Sequence, residues 1–222
     1  SRLGDQLTAE LDIPVGFCSL GLGGTPIGLW TSPNSNYLNR LKVAIDFFGR
    51  NGFRAILWHQ GEADSAAGNS KASYVSSLES IIESSRTEFE PRWEIPWYVA
   101  EASYQSSTPF GQREVITAAQ REVAHNDPFT FLGPRTEDFH WENASGGKLA
   151  DGVHLNGAGF DDHATQWREI LWGTGILLLE NGDFEKGFDP SVTTIAALGD
   201  NGQSVINPAV GGIHQGIVDW VV

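Results

Sequence analysis

Residues 54–64 read Arg-Ala-Ile-Leu-Trp-His-Gln-Gly-Glu-Ala-Asp. A short apolar run passes directly into a polar loop with one glycine, and this transition decides the fold. Continuous apolar runs of about four to eight residues mark strands buried on both faces, as in a parallel sheet covered by helices. Ile13 to Leu20, Ile95 to Ala100 and Phe129 to Leu132 are further runs of this kind. Between them, apolar residues recur at helical spacing. Leu38, Leu41, Ile45 and Phe48 form one set, with a cap at Asn34 or Ser35 and with Gly49 and Gly52 as its stop. Tyr74, Leu78, Ile81 and Ile82 mark a second helix, and Val115, Ile116, Ala119 and Val123 a third that ends before Pro128. Asn156 caps a fourth, from Gly157 to about Trp172. Strands alternating with helices predict a three-layer α/β/α sandwich around a mostly parallel sheet, flavodoxin-like in kind.

That pattern covers residues 1–172 and makes them one domain, as the 222-residue length allows. Residues 181–222 hold seven Gly, one Lys and no Arg, with β-branched runs and no helical period. Residues 173–222 are therefore expected to form a β-rich extension or the start of a second domain, with Ile217 to Val222 as a strand. The chain opens inside a helical pattern, Leu3 to Leu11, so an earlier start to the natural protein is expected, with further domains of a longer chain as neighbours.

Fourteen Lys and Arg stand against 28 Asp and Glu, a formal charge of −14 that repels phosphate backbones and anionic lipid head groups. Nucleic acid and membrane surfaces are poor partners for such a chain. No run reaches the roughly 18 apolar residues that span a bilayer. The single cysteine, Cys18, lies in an apolar run and is expected to be a buried, inert thiol.

Three polar segments can carry chemistry. Asp151-Gly152-Val153-His154-Leu155-Asn156 precedes the last helix, and a carboxylate three residues before a histidine can bond the imidazole Nδ1 within one turn. That bond fixes the tautomer and leaves Nε2 to take a proton from a hydroxyl nucleophile. A capped turn with a satisfied histidine is the structural alternative. His59-Gln60-Gly61-Glu62-Ala63-Asp64 follows a strand at the carboxyl edge, where open α/β sheets place ligands. A solvated loop with Asp64 as a helix cap is the alternative there. Gly21-Leu22-Gly23-Gly24-Thr25-Pro26-Ile27 is no dinucleotide fingerprint, because Pro26 stands where the last glycine belongs. Its paired glycines fit a backbone that approaches a ligand closely, with amides able to serve an oxyanion.

Taken in order, GGTPI, HQGEAD and DGVHLNGAGF resemble the sialate O-acetylesterase and acetylxylan esterase branch of the SGNH hydrolases, over about residues 5–172. The resemblance implies His154 as general base, with Glu62 and Asp151 as helper acids. It also implies oxyanion donors at Gly23, Gly24 and the Gln60 side chain. Its serine belongs to a G-Q-S-N block upstream of the GGT loop, which this sequence does not contain. Gly202-Gln203-Ser204 repeats three of those letters, so Ser204 is a weak candidate for the nucleophile.

The resulting expectation is a carbohydrate O-acetyl esterase of serine-hydrolase mechanism, acting on acetylated sugars without cofactor or metal, in a secreted or periplasmic location. Its rivals are a metal-dependent hydrolase built on His59, Glu62, Asp64 and His154, a glycosidase using Glu62, and a non-catalytic carbohydrate-binding protein using some of the eight Trp. His125, His140, His163 and His214 show no partner pattern, and structural or solvent-facing roles are expected for them.

Overall fold

A computed structural model describes residues 1–31, 35–49, 52–87, 95–140 and 149–174, together with the backbone of 218–221. Among the described residues, five strands form one sheet: β1 (Val15–Cys18), β2 (Ile56–Trp58), β3 (Trp97–Glu101), β4 (Thr130–Arg135) and β5 (Val218–Val221). Their spatial order is β1-β5-β2-β3-β4, and every neighbouring pair is parallel. Parallel pairing puts the carboxyl ends of all five strands on one edge. The helices are α1 (Arg2–Leu11), α2 (Asn36–Phe48), α3 (Glu62–Ala67), α4 (Lys71–Thr87), α5 (Phe110–Asn126) and α6 (Gly157–Gly173).

Strand alternation sorts the core into two halves. Ile56, Trp58, Trp97 and Val99 point to one face, against Leu41 and Ile45 of α2, Leu78 and Ile81 of α4, and Ile116 of α5. Leu57, Tyr98 and Ala100 point to the other, against Leu7 of α1 and Trp167 and Leu171 of α6. Helices therefore cover both faces, as the near-continuous apolar strands require. This is the expected α/β/α sandwich. Cys18 is buried in the first of the two clusters.

The expected caps form where the sequence places them. The Ser35 hydroxyl accepts from the Tyr37 amide at 3.1 Å, and Asn156 accepts from Gly159 at 3.0 Å. The alternative of a solvated loop with Asp64 as a cap does not hold: helix α3 begins at Glu62, with Asp64 inside its first turn and fully buried. Of the expected extension 173–222, Gly173, Thr174 and β5 are described, and Ser204 and His214 lie outside the described residues. Strand β5 pairs Val15 with Val218 on one side and Ile56 with Val221 on the other.

At the amino edge of the sheet, the half-buried Arg86 of α4 binds Asp127, the Ile95 carbonyl at 3.1 Å and the Phe129 carbonyl at 3.2 Å. It ties the starts of β3 and β4 together. On the opposite face, β4 carries Gly133 beneath α6. A Cβ there would lie 2.7 Å from the Trp167 ring and 2.9 Å from the Ala100 amide. Gly133→Ala is expected to lower stability by about 1–3 kcal/mol, the usual cost of overpacking. Urea denaturation checks this, and an unchanged midpoint would show that α6 does not rest on β4 as described.

Candidate active site

Three loops at the carboxyl edge of the sheet carry the candidate residues. The loop after β1 turns on Gly24, whose φ of 74° is a left-handed conformation suited to glycine. Its shape is fixed by Thr25, whose hydroxyl donates to the Leu22 carbonyl at 2.8 Å and accepts from the Trp30 indole at 3.2 Å. A Cβ at Gly23 or Gly24 would meet nothing within 4 Å. The backbone here borders open space, as close approach of a ligand requires.

The loop after β2 is bound to it by Asp64. Its Oδ2 accepts from the Ile27 amide at 2.9 Å and from the Gln60 side chain, and Oδ1 accepts from Asn69. A fully buried carboxylate needs such donors. Gln60 Nε2 also donates to the Thr25 carbonyl at 3.1 Å. Both hydrogens of this amide are thereby engaged, so its implied oxyanion role requires one of these bonds to open. Gly61 sits against the end of β3, where a Cβ would lie 1.8 Å from the Ala102 carbonyl oxygen. Buried Gln120 of α5 locks that approach. It donates to the Gln60 carbonyl at 2.8 Å and the Ala102 carbonyl at 2.9 Å, and accepts from the Ala102 amide at 3.0 Å.

The third loop carries Asp151 and His154. Asp151 Oδ1 accepts from the Val153 amide at 3.1 Å and the His154 amide at 2.8 Å, and Oδ2 lies 2.7 Å from His154 Nδ1. The loop is pinned at Gly152, whose carbonyl accepts from the Ser106 amide at 3.1 Å. Gly152 has φ 87°, and a Cβ there would strike Ser106 Oγ at 2.7 Å. The bonds of the His154 amide and then its ring hold the Asp151 carboxyl down to about 2. In return, the bond and charge of Asp151 raise His154 above 6.5, with a further upward pull from Glu62. With Nδ1 directed at a carboxylate, Nε2 is the nitrogen left for proton transfer, and the His154 side chain is 78% exposed.

Glu62 takes another partner. Its Oε1 lies 3.2 Å from His59 Nε2, His59 Nδ1 lies 3.2 Å from His163 Nε2, and that nitrogen accepts from the Trp167 indole at 3.0 Å. Burial pushes Glu62 up, but the His59 bond and charge and the Gly61 and Glu62 amides outweigh it and hold the group below 4.5. His163, given no partner in the sequence reading, is thus a member of the site. Its four-residue spacing from Trp167 puts both on one face of α6, and this was the signal available. Burial first, and then the charge of His59, press His163 down to about 3.

The sequence-derived residues thus fall into two joined groups. Asp151 pairs with His154, and Gln60 and Asp64 fasten the glycine loop to α3, while Glu62 turns to His59. Asp64, a ligand in the metal-dependent rival, has its oxygens committed to N–H donors.

A family model described as carbohydrate esterase, sialic acid-specific acetylesterase, matches residues 4–156, more than half of the chain. The chain belongs to this family. No curated protein sequence matches it significantly. Membership gives the site its general context: this is a family of carbohydrate esterases, and its members' substrate class is acetylated carbohydrate. The family match spans all three rim loops and ends at Asn156, the cap of α6. No helix among the described residues is long and apolar enough to cross a membrane.

Two pH responses follow. Asp151→Asn removes the carboxylate that raises His154, so the His154 titration should move down toward 6.5, as proton NMR of the imidazole would show. His163 has a depressed folded-state value, so below 6.5 the unfolded chain takes a proton that the folded chain refuses until about 3. Stability from this group is complete above 6.5 and is lost toward acid at up to about 1.4 kcal/mol per pH unit. Unfolding of His163→Gln across pH 6.5 to 3 should show a correspondingly flatter loss than the unsubstituted chain.

Proposed function

We propose that the chain forms the acid–base side of an SGNH-type serine esterase that removes acetyl groups from sugar hydroxyls. The observation that carries this reading is the 2.7 Å contact between Asp151 and His154 Nδ1, on a loop pinned to its neighbours and with Nε2 turned to other use. A serine hydroxyl attacks the ester carbonyl and gives its proton to His154 Nε2. The tetrahedral oxyanion is received by amides of the Gly23-Gly24 loop. Collapse breaks the bond to the sugar oxygen, which takes the serine's proton from His154 and leaves as the free hydroxyl. Water, deprotonated by the same base, then releases acetate from the acyl-serine.

Asp151 orients the imidazole and stabilises its cationic form. Glu62 adds negative charge within reach of His154 and acts as the second helper acid. The serine has to stand between the glycine loop and His154. Ser204 remains a candidate, beside the G-Q-S-N serine that the resemblance implies. Acetylated sialic acids and acetylated xylan are the substrates to try first, and a secreted or periplasmic location suits both.

The test is acetate release from O-acetylated sugars, measured with the serine-bearing segment present and combined with a fluorophosphonate label mapped by mass spectrometry. His154→Ala should lower kcat/KM by on the order of 10⁴ or more and abolish labelling. Turnover indifferent to His154 would overturn the assignment. Sugar binding without acetate release would make the chain a carbohydrate-binding protein instead.

A further inference from the structure

The segment after β3 carries two aromatic rings that the reaction as proposed leaves unused. Tyr104 lies in the loop, and Phe110 opens α5 directly behind it. Both rings meet one guanidinium: the Arg113 Cζ stands 4.6 Å from the Tyr104 ring centroid and 5.6 Å from that of Phe110. These are cation–π distances, and each such contact occupies one face of a ring. Arg113 is itself firmly held. It is buried, its Nη1 donates to Glu137 Oε1 at 2.8 Å, and the Ser103 hydroxyl donates to Oε2 of the same carboxylate at 2.6 Å. Glu137 is 1% exposed, so neither partner can swing away without leaving a buried charge unpaired. Ser103 follows β3 and Glu137 follows β4, so this support spans two strand ends.

Phe110 is 57% exposed, the highest value of any large apolar side chain among the described residues. A ring backed by a buried ion pair on one face and open on the other differs from the single apolar residues that any surface carries. Its place relative to the base follows from the chain. Ser106 of the same loop donates its amide to the Gly152 carbonyl at 3.1 Å, within the loop that carries His154. From Ser106 to Phe110 is at most about 14 Å of extended chain. An oligosaccharide whose ester lies at His154 can therefore reach the ring. Sugar rings present C–H groups on a face, and the partial negative charge of an aromatic face favours them. The Arg113 charge is matched by Glu137, so the ring offers no net charge to draw an anion.

We propose that the Phe110 ring, fixed from behind by Arg113 and Glu137, is a sugar-stacking subsite that takes a neutral pyranose ring of the carbohydrate substrate. That this sugar belongs to the same molecule as the ester rests on the esterase reading; the stacking itself does not.

Xylotriose carries no ester, so it probes the subsite without turnover. Added to the full 222-residue chain with ring-labelled phenylalanine, it should shift the Phe110 NMR signals to saturation. Phe110→Ala, at an exposed position, should fold and should weaken the affinity about three- to tenfold, the contribution of one stacked ring. Phe110→Trp restores an aromatic face and should keep the affinity. Phe110 signals unmoved by xylotriose overturn the proposal, and so does an affinity that Phe110→Ala leaves unchanged. Phe110 signals that move with the concentration of the chain alone make the ring a contact between two copies, which overturns it as well. Acetate release enters none of these readings. Stacking without release sinks the esterase reading alone, and release from a chain indifferent to Phe110 sinks the subsite alone.

Discussion

A carboxylate sealed from water must be matched by donors inside the protein, because an unpaired buried charge costs several kcal/mol or more. Asp64 is such a group, and its donors come from three places in the chain: the Ile27 amide after β1, the Gln60 side chain after β2, and Asn69 between α3 and α4. One charge therefore sets the spacing of two rim loops and the entry to α4. Gln60 spends its remaining hydrogen on the Thr25 carbonyl, and Gln120 ties the same loop to the end of β3. Every member of this network is satisfied by another, so none can move alone. The open glycine backbone can remain uncovered because its neighbours are held from beneath.

Above this frame stand two carboxylates that are both held ionised, for opposite reasons. Asp151 is exposed, and water does not penalise its charge; two backbone amides and the His154 ring bring it to about 2. Glu62 is half-buried, which by itself favours the neutral acid, and the His59 contact and local amides reverse that preference. The difference decides their uses. A carboxylate in water can turn with its histidine and accept the proton-bearing Nδ1 at short range. One that depends on a half-buried partner keeps its direction and acts at a distance, through its field.

How much of this the sequence discloses depends on how far apart the partners are along it. Asp151 and His154 are three residues apart, and spacing alone predicts their bond. Asn156 and Ser35 cap helices next to themselves and are found in the same way. The alternation of apolar runs foretells the sheet, since a strand buried on both faces has to be apolar throughout. His59 and His163 are 104 residues apart, and no local pattern relates a strand end to the middle of a helix. The role of Asp64 as a buried tie is not legible, and a cap stays open as an alternative, because its donors, Ile27 among them, are brought to it only by folding. The place of β5 within the sheet is also a tertiary fact, since its apolar run fits an edge, a centre or a separate domain equally well.

The strand order gives the site its location independently of any motif. Ligands of open α/β sheets bind outside the carboxyl ends of strands where the direction of winding changes. Here the chain runs from β1 past one position to β2 and on to β3 and β4, and the skipped position is filled by β5. The loops after β1 and β2 therefore flank the carboxyl end of β5 with a gap of one strand between them. Asp64 and Gln60 reach across that gap from one loop to the other, and so they define its floor. His154 is anchored further along the rim, through Gly152 to the loop after β3, and its ring is open to solvent. An imidazole so exposed is levelled by water until something covers it. A sugar ester lying over the rim would exclude that water and strengthen the pull of Asp151 and Glu62 in the same act. On the proposed reading, binding and activation of the base would be one event at this site.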